Sequence, residues 1–287
     1  LAGTTVRTAL ISDIHANLEA LEAVLAHIDG QRVDRIVCLG DIIGYGPDPV
    51  ACVDIVAKRC EFALMGNHDF AALYEPTNFN QVAEQAAYWT RFQLESEASP
   101  DEARRRWSFL NGLRVRVARD RDFSEPTAAD PASRYPYLCV HGSPRRPINE
   151  YIFPDDGDRS QTKMASIFDR FEHVCLVGHT HCPGVFMESV AGEGQDDRVY
   201  EFYPPTELEG ARYQIVAGTK VILNPGSVGQ PRDGIVDASY AILDTDPSRE
   251  GIVEFHRLPY DVQTTVDKIK RIPEINDWLG ERLLQGK

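Results

Sequence analysis

The chain has no surplus of basic residues, no paired-cysteine motif, no apolar run of membrane length and no internal repeat or low-complexity segment. Each absence closes off a class of function. Lys and Arg number 30 against 44 Asp and Glu, a formal net charge of −14. A broad nucleic-acid face needs clustered Lys and Arg, so a nucleic-acid polymer is not an expected partner. Small anions stay open, because a bound cation reverses the local potential. The six cysteines (Cys38, Cys52, Cys60, Cys139, Cys175, Cys182) form no CxxC pair. Cys38, Cys139 and Cys175 lie in apolar runs and read as buried free thiols, a pattern that suits a reducing cytoplasm. No stretch is suited to crossing a membrane, and "LAGTTVRTAL" lacks the layout of a secretory signal. A processed secreted form stays open, since the first residue is Leu1.

What is present is a globular composition, with 43% apolar and 26% charged residues over 287 positions, enough for a substantial core. The first third alternates. "VRTALIS", "DRIVCLG" and "EFALM" read as strands, while "NLEALEAVLAHID" and "PDPVACVDIVAKR" carry helical apolar spacing. Strand–helix alternation with short loops implies βαβ units and a largely parallel sheet. From Tyr74 to Asp130 the pattern changes to two helices, "FNQVAEQAAYWTRFQLES" and "PDEARRRWSFLNGL", then a loose stretch, "DRDFSEPTAADPASRYP". This region reads as an insertion.

Short strands follow: "YLCVHG", "HVCLVGH", "GVFME", "RYQIV", "KVILN", "SYAILD" and "GIVEFHRL". With no long helices between them, the later ones predict a second, more antiparallel sheet packed on the first. The polar "AGEGQDDRVYEFYPPTELEG" reads as a long solvent loop, and the tail from Asp261 as two helices separated near Pro273.

Five strand ends share one design. "SDIHAN", "LGDIIGYG", "LMGNHD", "VHGSP" and "VGHTH" each place Asp, Asn or His directly after an apolar run. One such residue is ordinarily a turn or cap. Five of them are harder to dismiss, because ligands of α/β folds collect beyond the carboxyl ends of the strands. The mix of carboxylate, imidazole and amide, with no Cys, suits Mn, Fe, Ni or Zn better than a structural zinc site.

The order D-x-H … G-D … G-N-H-D … H-G … G-H-T-H resembles the calcineurin-like metallophosphoesterases, from Val6 to about Asp244. "HGSPRRPINEYIF" and "ILNPGSVGQPRDG" are similar to its small bacterial branch, with phosphodiesterase-like and diadenosine-tetraphosphatase-like members. The resemblance implies one α/β domain over 1–287. It would be a four-layer sandwich of two mixed sheets flanked by helices, with a helical insertion at 74–130 as candidate lid and a helical tail at 260–287. It further implies two divalent ions: Asp13, His15 and His181 on one, Asn67, His141 and His179 on the other, and Asp41 bridging. A hydroxide bridging the ions would then attack a phosphomonoester or phosphodiester of a small or nucleotide-like alcohol.

His68 is the candidate general acid, and Asp69 either orients it or caps the next segment. Gly40, Gly66, Gly142 and Gly178 flank ligands, where the backbone turns sharply or passes close by. Weaker substrate-binding candidates are Asn17 (otherwise a helix cap), Arg145, Arg146 and Arg232. The family often has Gly at the place of Ala16, and more often an acidic residue at that of Arg146. His27, His173 and His256 read as structural or surface residues. A non-catalytic scaffold of the same fold is the alternative, discriminated by loss of ligands, and a nuclease is disfavoured by the acidic balance.

Overall fold

The computed structural model describes residues 5–96, 99–120, 123, 137–190, 198–216, 218–246 and 249–287. The chain opens with β1 (Val6–Ile11), α1 (Leu18–Gly30), β2 (Arg35–Cys38), α2 (Pro49–Arg59) and β3 (Phe62–Ala63). Three helices follow, α3 (Asn67–Leu73), α4 (Gln81–Glu95) and α5 (Pro100–Asn111), then β4 (Arg116–Arg119) and β5 (Tyr137–Val140). Next come α6 (Asp156–Arg159), α7 (Gln161–Phe168), β6 (Val174–Leu176), β7 (Gly184–Val190) and β8 (Arg198–Tyr203). The chain ends with β9 (Arg212–Gln214), β10 (Val221–Asn224), β11 (Ala238–Asp246), β12 (Arg249–Leu258), α8 (Val262–Lys270) and α9 (Trp278–Glu281).

These strands form two six-stranded sheets, ordered β3-β2-β1-β11-β12-β9 and β4-β5-β6-β10-β7-β8. β1, β2 and β3 are parallel, as the alternation implied. β5, β6 and β10 are also parallel, and the remaining pairs in both sheets are antiparallel. Both sheets are therefore mixed. β1 shows why the layers stack as they do. Leu10 belongs to the core between the sheets, with Leu39, Leu176 and Leu223. Its neighbours Ala9 and Ile11 belong to the opposite cluster, with Leu21, Val24 and Ile28 of α1 and Val53 of α2. A strand covered on both faces is apolar at every position, which is why it reads as a run and not as an alternation. The second sheet's outer face packs on Met164, Ile167 and Phe168 of α7.

Three expectations change. "RYQIV", "SYAILD" and "GIVEFHRL" contribute strands to the first sheet and not the second, because β11 pairs antiparallel with β1 (Ala9 opposite Ile242) and brings β12 and β9 with it. Within the expected solvent loop, Arg198–Tyr203 is strand β8, paired with β7; residues 191–197 lie outside the described residues. The region 74–130 is helical only to Asn111, because β4 then pairs with β5 at the edge of the second sheet. Most of the loose stretch at 120–136 lies outside the described residues. Val266 and Ile269 of α8 and Leu279 of α9 pack against Ala86 and Trp89 of α4. Among the described residues no helix is long and apolar enough to cross a membrane.

Candidate metal centre

Parallel pairing of β1 with β2 continues beyond the strands as a zipper of loops. Asp13 N–H donates to the Gly40 carbonyl, His15 to Asp41 and Ala16 to Ile42, each at 3.0 Å. The same rim receives the second sheet, where Gly178 N–H donates to the His141 carbonyl at 2.9 Å. The strand ends thereby converge. Asp13, His15, Asp41 and His181 present ligand atoms within 4.8 Å of one another, and so do Asp41, His141 and His179. Asp41 belongs to both groups. Asn67 starts α3 beside them, and the following His68 N–H donates to Asp41 Oδ1 at 2.8 Å.

The donor atoms are arranged for a cation. His141 Nδ1 lies 2.8 Å from the Leu39 carbonyl, and His181 Nδ1 bonds the Gln230 carbonyl. A carbonyl only accepts, so the proton sits on Nδ1 and, in the neutral ring, Nε2 keeps a free lone pair. Those Nε2 atoms lie 3.3 Å from Asp41 Oδ2 and 3.2 Å from Asp13 Oδ1. His15 Nε2 and His181 Nε2 face each other at 3.1 Å. Buried polar atoms without a hydrogen-bond partner include Asn67 Oδ1 and His179 Nε2. Orphaned buried acceptors cost free energy, and a divalent ion would satisfy them.

Backbone strain marks the same residues. Asp13, His15, Asp41, His179 and His181 all have φ between 50° and 65°, as does Ala16 at 53°. Side chains rarely enter this left-handed region, and each instance costs on the order of 1–3 kcal/mol. Ala16 thus holds a conformation that glycine adopts freely. Gly66 has a different reason for being glycine: a Cβ would collide with Asp41 Oδ1.

Burial sets the protonation. It holds His15 and His179 well below the ordinary imidazole value, and burial followed by the Arg232 charge lowers His181. These rings are neutral and ready to ligate. Burial opposes protonation of His141 as well, but the Asp41 carboxylate outweighs it and raises that ring to about 9. Asp41 itself is driven up by burial and further down by His141, leaving it well below the carboxylate range.

The calcineurin-like phosphoesterase pattern matches residues 6–197. This chain belongs to the calcineurin-like phosphoesterase family. It is 34% identical over 284 residues to the uncharacterized protein MJ0912 of Methanocaldococcus jannaschii, spanning 97% of this chain and 98% of that protein. The crystal structure of a metallophosphoesterase from Sphaerobacter thermophilus is similar at 34% identity and TM-score 0.73, over 99% of this chain and 100% of that one. Hypothetical protein PH1004 of Pyrococcus horikoshii OT3 shares the fold at TM-score 0.68 and 17% identity, over 98% and 99% of the two chains.

In this calcineurin-like phosphoesterase the donors open onto a cavity of about 630 Å³, lined by His68, Asn67 and His179 together with Tyr45, Phe79 and Arg146. The His68 ring packs between Tyr45 and Phe79, with centroids at 4.2 and 4.6 Å. Burial holds it at about 4, with Asp41 pulling upward and Arg232 downward.

Three candidates are engaged elsewhere. Among the described residues no hydrogen bond joins Asp69 to His68; its carboxylate caps α3 at the Gly66 N–H, the second of its two readings, and accepts from the N–H groups of Asp41, Ile42 and Ile43, which braces the Asp41 loop. Asn17 is consumed structurally. It caps α1 at Ala20, donates to Gly229 O and Tyr260 Oη, and accepts from Thr265. Arg145 is paired with Glu150. Arg146 does line the cavity, and Arg232 lies at the His181 carbonyl through its N–H. Cys182 bonds the Arg232 carbonyl and stands outside both ligand groups. Sequence reasoning missed Tyr45, Phe79, Tyr151 and Arg282. None carries a local signal, since an aromatic or a tail arginine looks the same in a core or on a surface.

Proposed function

We propose that this chain is a dimetal phosphoesterase that hydrolyses a phosphomonoester or phosphodiester of a small or nucleotide-like alcohol. One observation carries the reading: two buried ligand groups that share Asp41. Asp13, His15 and His181 would hold one ion, Asn67, His141 and His179 the other, and Asp41 both. Bound divalent ions of the Mn, Fe, Ni or Zn kind would neutralise phosphoryl oxygens and bring the ionisation of water near neutral pH.

The remaining work falls to side chains. His68 faces the cavity and donates a proton to the departing alkoxide, and its charge in the complex is set by the phosphate it meets. Tyr45 and Phe79 fix its ring plane. Thr77, Asn78 and Phe79, from the segment after α3, wall the cavity, so this segment limits substrate size. The cavity lies in the range of small-molecule sites. A scaffold would have no need to keep every ligand and the proton donor together.

The test is turnover of a panel of phosphomonoesters, phosphodiesters and dinucleoside polyphosphates by protein loaded with Mn²⁺, paired with elemental analysis. We expect about two ions per chain and hydrolysis that stops on chelation. Full metal content with no turnover of any ester refutes the enzyme and favours the scaffold.

A further inference from the structure

Two guanidinium groups stand at the edge of the ligand cluster, and among the described residues no Asp or Glu side chain pairs with either. Arg232 lies on the loop after β10, and Arg282 directly follows α9. Arg282 lies over the Trp278 and Tyr45 rings, 4.6 and 5.8 Å from their centroids. Tyr45 in turn packs against His15 at 4.8 Å, and Tyr151, the phenol beside Arg232, stacks on His179 at 3.8 Å. The chain holds the two arginines together: Gly234 N–H donates to the Gly286 carbonyl, and Gln230 Nε2 to that of Lys287.

The side chains that bond them are neutral, the Tyr151 hydroxyl at Arg232 and the Tyr45 hydroxyl at Arg282. Arg232 donates to Gln230 Oε1 at 3.1 Å and keeps a buried Nε with no partner. Arg282 donates through Nε to the Lys287 main-chain oxygen at 2.6 Å. Among the described residues neither pairs with an Asp or Glu side chain, whereas Arg145, Arg198 and Arg257 each do. Burial, and then the Arg232 charge, lowers Arg282 to about 10, as expected for like charges held close.

One phosphate does not account for this pair. Under the proposed function, Asp13 and Asp41 offset half the charge of two divalent ions, and a phosphate dianion with the attacking hydroxide exceeds the other half by one. The two arginines then leave one positive charge over. We infer that Arg232 and Arg282, with the Tyr45 and Tyr151 hydroxyls, form a second anion subsite, so that preferred substrates carry another phosphate beside the scissile ester. Guanidinium matches phosphate through planar paired donors. The inference rests on the dimetal reading for the place of the first phosphate.

Calorimetric titration of Mn²⁺-loaded protein with inorganic phosphate and with pyrophosphate tests it. Wild-type protein should bind pyrophosphate the more tightly. Arg282→Gln should weaken pyrophosphate about tenfold while moving phosphate by less than about twofold, and Arg282→Lys should recover part of the loss. No preference for pyrophosphate in the wild type overturns the subsite without any variant. So does an Arg282→Gln protein that melts lower and binds both anions equally worse, since Arg282 would then only hold the last turn. Turnover of p-nitrophenyl phosphate, followed in parallel, separates the two readings. Arginine-dependent pyrophosphate binding without turnover removes the enzyme and keeps the subsite; turnover without pyrophosphate preference removes the subsite alone.

Discussion

On the first sheet, the loops after β1, β2 and β3 deliver Asp13, His15, Asp41 and Asn67; on the second, the loops after β5 and β6 deliver His141, His179 and His181. Both carboxylates come from one side, and the other side is all imidazole. The means of holding them differ too. Both Asp13 oxygens accept from the backbone N–H of His179, at 3.1 Å, so the second sheet orients a first-sheet carboxylate. His141 Nδ1 instead bonds the first-sheet carbonyl of Leu39. Each sheet is thus aimed by the backbone of the other. The lesson is that the centre exists only while the sheets are docked, which ties the ligand geometry to the apolar core between them.

Removing the charged side should have the largest effect. Asp41→Ala takes away the residue common to both ligand groups, and elemental analysis should find both ions depleted and turnover at background. His179→Ala should leave about one ion per chain. Equal depletion by both variants would erase the asymmetry between the sheets.

His68→Ala comes next. It should keep metal content and slow esters of poor leaving groups by about 10²–10⁴-fold, with much less effect on p-nitrophenyl esters. Equal slowing of both classes would deny that His68 donates a proton.

Two core leucines separate docking from local packing. Leu223 lies between the sheets and Leu21 on the buried face of α1. Each truncation to Ala should cost about 3 kcal/mol in urea denaturation. Only Leu223→Ala should also weaken metal binding, as read by titration of the folded protein. The same loss of metal affinity in Leu21→Ala would break the link between docking and ligand geometry.

The smallest effect belongs to Asn17. Its hydrogen bonds to Ala20, Gly229 and Thr265 are structural, so Asn17→Ala should cost about 1–2 kcal/mol of stability and leave KM nearly unchanged. A large rise in KM would return Asn17 to the substrate.

Much of the site was legible because ligand and strand are adjacent in the chain: an apolar run followed by Asp, Asn or His is visible within a window of six residues. The role of Asp69 was not. Its partners at Asp41, Ile42 and Ile43 belong to another loop, and only folding brings them together. The strand at Arg198–Tyr203 was hidden by its polar flank, although neighbouring Tyr200 and Glu201 face opposite sides, one buried and one exposed. The return of β11 to the first sheet was illegible for another reason. An apolar strand satisfies either sheet, and edge choice depends on the docking of the whole chain.

From its sequence alone, this protein determined its strand–helix alternation, the polar groups at five strand ends, the acidic balance and the family pattern. All are properties of neighbouring residues and survive without a fold. Tertiary structure decided that Asp41 would stand in both ligand groups, that Asp69 would brace a loop, and that Arg282 would reach the rim from the far end of the chain. Such pairings join groups separated by tens to hundreds of residues, and they arise only when burial of apolar faces offsets the entropy of bringing them together.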